Sequence, residues 1–234
     1  VSKNLQQDYF PIVLSGDHSS ALGVISGIKK VYPDKKLGVV WIDAHADLHS
    51  PFTSPSGNIH GMPLATALFE DNKECQINEL PIETVELWNK LKNSGFAGAK
   101  IQAEDLVFIG VRDTEPQEDA LIDRLNITNH KVEEVRRKGT EAIIKATLEQ
   151  LKNCDIIYIS FDVDSMDSSI SKGTGTPVRN GITEKEAGSL CVRLIQNEKV
   201  CCFEIAEVNP TLDKENLMAE NTFEILQRVV AQIA

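Results

Sequence analysis

The most constraining feature of the chain is the six-residue run Leu37–Ile42 (LGVVWI), followed at once by Asp43-Ala44-His45-Ala46-Asp47. A short apolar run without alternation is the signature of a strand covered on both faces, the condition of a parallel sheet with helices on either side. Similar runs recur at Pro11–Leu14, Leu106–Val111, Ile156–Phe161 and Val200–Val208 (VCCFEIAEV). Between them lie segments with helical spacing. Residues 19–32 place Leu22, Ile25, Ile28 and Val31 on one face, and residues 140–152 do the same with Ile144, Leu148 and Leu151. Thr183 with Glu186 three residues on has the form of a capping box opening a helix to about residue 196, and 218–233 reads as a last helix. This alternation predicts an α/β fold around a mostly parallel central sheet, in one domain over 1–234. The segment 70–105 carries the weakest pattern: one helix near Val85–Leu91, then a loop rich in Gly and Ala.

Composition narrows the functional classes. Asp and Glu number 35 against 24 Lys and Arg, a formal charge of −11, which argues against nucleic acid or an anionic membrane surface as partner. The same balance suits a small cationic substrate. Five cysteines, an odd number with no CxxC pair, point to a reduced, cytoplasmic protein using Cys as a buried hydrophobe. No apolar stretch approaches the ~18 residues of a membrane span. The start, VSKNLQQDYF, has neither an initiator Met nor the apolar core of a signal peptide.

The ends of the apolar runs carry the chemistry. In an extended strand side chains repeat every two residues, so Asp43, His45 and Asp47 are expected to share a face. Asp162-Val163-Asp164 repeats the device after IIYISF, and Gly16-Asp17-His18-Ser19 follows a third run. Carboxylates this close repel one another unless a cation sits between them. The pooled set of His18, Asp43, His45, Asp47, Asp162 and Asp164 is oxygen-rich with some imidazole and no thiolate, which suits Mn(II). Four carboxylates offset the charge of two divalent ions, the arrangement of a binuclear hydrolytic site.

The motifs GDHS, DAHAD, SGNIHG, SFDVDSMD, GTGTP and EVNP stand here in the order they take in the ureohydrolases, the superfamily of arginases, agmatinases and formimidoylglutamases. The chain resembles that superfamily from about residue 13 to its end, and is most like an arginase. The resemblance implies a three-layer α/β/α sandwich with an eight-stranded parallel sheet and two Mn(II) at the strand carboxyl ends. One ion would be held by His18, Asp43, Asp47 and Asp162, the other by His45, Asp43, Asp162 and Asp164. It implies cleavage of a guanidinium by a hydroxide held between the ions, with Asp47 orienting it, His60 passing a proton to the leaving amine, and Glu207 pairing with the guanidinium. Thr176 falls on a further active-site position. The family also forms trimers or hexamers, so a homo-oligomer is expected. One or two strands ahead of the GDHS strand have no counterpart here, so the chain is expected to be part of a longer one.

Substrate choice turns on the far end of the molecule. Ser54, Ser56 and Asn58 match arginase positions that bind an α-carboxylate, which favours L-arginine over agmatine. Asp113, Glu115 and Glu118 match the segment that recognises the α-amino group, and His49 stands beside the carboxylate end. Two departures stand out: Glu115 replaces the usual Asp, and His49 the usual Asn. The expected reaction is L-arginine plus water to L-ornithine plus urea. Agmatine, guanidinobutyrate and formimidoylglutamate are the rival substrates, separable by a substrate panel. A non-catalytic module with the same fold is the rival class, opposed by the intact set of ligands, His60 and Glu207. A deacetylase of related fold predicts one Zn(II) and leaves most of the six residues without a role.

Overall fold

Each apolar run becomes a strand of one sheet. The computed structural model describes residues 1–233. Its strands are β1 (Ile12–Leu14), β2 (Leu37–Ile42), β3 (Leu106–Ile109), β4 (Thr128–His130), β5 (Ile156–Asp162) and β6 (Val200–Ala206). They pair in the order β1-β6-β5-β2-β3-β4, every neighbour parallel. The fold is a three-layer α/β/α sandwich, as expected, but the described residues contain six strands where the resemblance implied eight. Strand β4 has no apolar signature: Thr128-Asn129-His130 is an edge that pairs with β3 alone, so its backbone and not its side chains places it there.

The two faces of the sheet bury different halves of each run. Val39 and Trp41 point into a core with Leu106, Phe108, Tyr158 and Cys202, closed by Val24, Ile25 and Ile28 of the helix Ser20–Val31 and by Leu121 of the helix Pro116–Leu125. Val40 and Ile42 point the other way, into a core with Ile157, Ile159, Phe203 and Ile205. That second core is closed by Ile143 and Ile144 of Thr140–Gln150, Leu190 and Leu194 of Glu184–Leu194, and Ile225 and Val229 of Leu217–Ile233. The weakly patterned segment holds the helix Ile82–Lys92, longer than the sequence suggested, whose Trp88 packs on Phe52 and Met62. No helix among the described residues is long and apolar enough to cross a membrane.

Topology decides where the site lies. From β2 the chain winds outward through β3 and β4, then returns to the other side of β2 to lay down β5 and β6. The reversal opens a crevice at the carboxyl ends of β2 and β5, the place where open α/β sheets bind ligands. Both acidic motifs leave their strands there.

The capping box at Thr183 is present: its hydroxyl accepts from the Glu186 N–H (3.2 Å), and Glu186 returns a carboxylate to the Thr183 N–H (2.8 Å). Thr183→Ala is expected to lower the unfolding free energy by about 1 kcal/mol, read as a shift of the urea midpoint at constant slope. An unchanged midpoint would show that the cap contributes nothing.

Candidate active site

The three motifs reach the crevice by one local device. The first Asp of each turns its own carboxylate back on the backbone two residues ahead: Asp43 Oδ1 accepts from His45 N–H (2.8 Å), Asp162 Oδ1 from Asp164 N–H (2.8 Å), and Asp17 Oδ1 from Ser19 N–H (2.9 Å). Strand pleat is therefore not what gathers these side chains. Strand β2 stops at Ile42, and Asp47 has a left-handed backbone (φ 52°). Strand β5 stops at Asp162 and a turn of 3-10 helix carries Asp164. The expected shared strand face is not what brings these side chains together: a turn folds them towards one another where an extended strand would have spread them.

The cluster is tight and dry. His18 Nδ1 lies 3.0 Å from Asp43 Oδ2, 3.0 Å from Asp162 Oδ2 and 3.3 Å from Asp47 Oδ2. His45 Nδ1 lies 3.0 Å from Asp164 Oδ2 and 3.5 Å from Asp43 Oδ1, so Asp43 faces both rings. None of the four aspartates is more than 5% exposed. Burial opposes the imidazolium of His18, yet Asp162 and Asp43 outweigh it and raise its pKa well above the ordinary value. Burial, with repulsion from neighbouring carboxylates, raises Asp47, Asp162 and Asp164. Protons must neutralise the cluster in the absence of another positive charge.

Divalent metal fits this set. His18 Nδ1 and Asp43 Oδ2 are buried and make no aligned hydrogen bond, although they face each other. Two groups, His18–Asp43–Asp47 and Asp43–His45–Asp164, each bring three ligand atoms within 4.8 Å and share Asp43. Asp162 joins through His18. The ring of His18 is oriented for such a role: Nε2 meets Ser160 Oγ at 2.7 Å, and the ring stacks on Trp41 at 4.1 Å.

A cavity of about 410 Å³ opens above the cluster, with His45 and Asp47 in its wall. His60, Ser54, Ser56, Asn58, His49, Asp113, Glu115, Glu118 and Thr176 all line it. Thr176 Oγ1 donates to Asp164 Oδ2 (3.1 Å), and Asp113 Oδ2 stands 3.6 Å from His45 Nε2. Ser54 Oγ accepts from Gly57 N–H (2.9 Å) and Ser56 Oγ from Asn58 N–H (3.2 Å), shaping the loop. His60 is held near the cluster because its segment is pinned to the acidic turn, His49 N–H to Gly61 O (2.9 Å) and Leu64 N–H to Asp47 O (3.1 Å). Glu207 is not in the cavity wall. Its Oε1 accepts from His18 N–H (2.7 Å), its Oε2 faces Gly175, and its backbone is left-handed (φ 68°), a conformation costing about 1 kcal/mol or more for a non-glycine residue. His49 Nε2 faces Glu115 (3.0 Å) and Glu118 (3.6 Å).

Several residues that hold the site carry no sequence signal of it. Arg112 spends its guanidinium on the carbonyls of Gly110, Asp164, Ser165, Val178 and Arg179, tying the end of β3 to the loop that bears Asp164 and Thr176. Asn78 donates to Pro51 O (3.0 Å) and Ser54 O (2.7 Å), anchoring the loop of Ser54. Ser160 and Trp41 lie inside apolar runs, where they read as core.

Comparison with known proteins agrees with this geometry. The family model of the Arginase family matches residues 1–234. An arginase of Staphylococcus aureus (strain MRSA252) is 38% identical over 228 residues, covering 97% of this chain and 69% of that protein. The crystal structure of Helicobacter pylori arginase superposes with a TM-score of 0.88 at 32% identity, covering 99% of this chain and 76% of the other. An Entamoeba histolytica arginase in complex with L-ornithine gives 0.82 at 29% identity, covering 98% and 73%. A parallel three-layer fold with an acid-rich centre at its switch point defines the class here, a hydrolase of the ureohydrolase type. Within that class the chain belongs to the arginase family.

One group sets a pH dependence outside the cluster. Burial and the adjacent Glu115 push Glu118 from 4.5 up to about 8. The folded state therefore holds a proton that the unfolded state releases between those values, so stability falls as pH rises through that window and levels off above it. In chelator-treated protein, Glu118→Gln is expected to gain on the wild type in unfolding free energy from pH 5 to 8. A wild-type-to-variant difference that stays constant with pH contradicts the assignment.

Proposed function

We propose that the protein is a binuclear manganese hydrolase that converts L-arginine and water to L-ornithine and urea. One observation carries the reading: the floor of a single cavity holds two histidine–carboxylate groups sharing Asp43, and the same cavity carries a second acidic pair, Glu115 and Glu118, in its wall. A substrate with a cationic group at each end suits a cavity with acids at two places. Ser54, Ser56 and Asn58 supply hydroxyl and amide groups for a carboxylate, the group that L-arginine has and agmatine lacks. Polar groups left unpaired by the wrong substrate give strong discrimination.

Two Mn(II), one at His18, Asp43, Asp47 and Asp162 and one at His45, Asp43, Asp162 and Asp164, would supply Lewis acidity and a water of lowered pKa. The chain's own groups do the rest. Asp47, buried beside the cluster, accepts a hydrogen bond from the attacking water and orients it towards the guanidinium carbon. The resemblance pairs Glu207 with the guanidinium, but here its Oε1 is committed to His18 N–H and its Oε2 faces Gly175 outside the cavity wall, so its part is to hold the turn that bears His18. As the C–N bond breaks, the departing amine needs a proton, and His60 in the cavity wall is the group placed to donate it. Thr176 holds Asp164 in orientation. Glu118 and Glu115 receive the α-ammonium. The E. histolytica arginase bound to L-ornithine supports this class of product.

With Mn(II) loaded and counted on the same sample, L-arginine is expected to exceed agmatine in kcat/KM by at least about tenfold, a difference of ~1.4 kcal/mol. A tenfold preference for agmatine sinks the substrate assignment. His60→Asn is expected to keep two Mn(II) and lose about 100-fold in kcat. Asp162→Ala is expected to bind fewer than two, because it removes a carboxylate shared by both groups of ligands; full activity in that variant contradicts the metal assignment.

A further inference from the structure

The far wall of the cavity repeats the donor set of its floor. His49, Glu115 and Glu118 each bring one ligand-capable atom to a common place, all within 4.8 Å. His49 Nε2 stands 3.0 Å from Glu115 Oε2 and 3.6 Å from Glu118 Oε2. The two rings at the floor hold their carboxylates at 3.0 to 3.5 Å. Donors about 2.0–2.2 Å from a shared ion stand about 3.0–3.5 Å from each other, so both sets have close to the spacing of a chelate.

The orientation of His49 is set from outside the cluster. Its ring is 6% exposed, and Nδ1 meets Thr53 Oγ1 at 3.1 Å. The Thr53 hydroxyl donates to Ser50 O (3.4 Å) and accepts from Ser50 N–H (3.0 Å). The Thr53 hydroxyl and the ring share a hydrogen bond at Nδ1, which fixes the orientation of the ring. Nε2 thereby faces two carboxylates, Glu115 and Glu118. In the metal-free protein a proton, on the ring or on Glu118, satisfies this group, and a divalent cation can take the proton's place among the same three ligand atoms. In the typical arginase pattern, with Asn and Asp in place of His49 and Glu115, the imidazole donor is missing.

We propose that His49, Glu115 and Glu118 form a third divalent-cation site, which takes Mn(II) in excess of the two ions at the floor. The proposal rests on the reading of Glu115 and Glu118 as the ammonium end of the substrate site. A cation there and the substrate ammonium exclude each other, so excess metal acts as a competitive inhibitor. Glu115 is exposed, and the set holds one imidazole and two carboxylates, so the third ion binds more weakly than the first two.

The test titrates Mn(II) into metal-free protein at physiological ionic strength, reading free Mn(II) by its EPR signal. Two tight equivalents and a third, weaker one are expected for the wild type. His49→Asn and Glu115→Gln should each keep the tight equivalents, which also report folding, and weaken the third at least tenfold. With L-arginine as substrate, Mn(II) beyond the tight equivalents should raise KM without lowering kcat. A wild-type titration that ends at the tight equivalents overturns the proposal. A weak equivalent that persists unchanged in both variants also overturns it, since that is binding to the acidic surface at large. Fewer than two tight equivalents in the wild type counts against the binuclear centre alone, and the weak equivalent is scored separately in the same experiment.

Discussion

Four carboxylates of negligible exposure meet at the carboxyl ends of β2 and β5, and the structure around them is organised by their mutual repulsion. Such a group cannot ionise fully in a dry site without positive charge among its members. The two imidazoles supply part of that charge in the metal-free state, drawn to high pKa by the same carboxylates. Backbone N–H groups supply more: His45 N and Asp164 N each bind a carboxylate oxygen from two residues before. Divalent metal in place of the protons would answer the same electrostatic need.

Holding like charges together requires a rigid frame, and parallel sheet architecture provides it. The strands that bear the two aspartate motifs, β2 and β5, are central, paired on both sides and buried throughout, so their ends are fixed by long-range hydrogen bonds. Arg112 extends that frame beyond the strands. All of its guanidinium hydrogen bonds go to backbone carbonyls on three separate stretches, which suits the planar five-donor fork. The strained backbone at Asp47 and Glu207 is tolerated because this frame over-determines their positions.

The cavity wall shows a second solution to the same problem. Glu118 sits at the start of the helix Pro116–Leu125, accepting from the N–H groups of Leu48 (3.0 Å) and Glu115 (3.2 Å). It thereby links helix geometry to the acidic turn after β2, so the Glu115–Glu118 wall and the acidic cluster below the cavity are held in register by one side chain. His49 and Glu115 stand beside this linkage, 3.0 Å apart in the same wall of the cavity.

Much of the fold was legible in one dimension. The apolar runs gave five of the strands within a residue or two, the capping box at Thr183 lies where its spacing placed it, and the six acidic and histidine residues at strand ends do converge. These patterns are local, set by side-chain periodicity and by the cost of burying charge. The resemblance to ureohydrolases added the cavity residues. What only the tertiary structure decided depends on contacts between distant segments: β4, recruited by backbone pairing alone; the turn at Asp43–Asp47 in place of an extended strand; the orientation of His18 by Ser160, 142 positions away; and the turning of His49 towards Glu115, 66 positions on. A sequence names the groups that cannot bear to be buried alone. Which neighbour relieves each of them is settled only when the sheet brings the strand ends together.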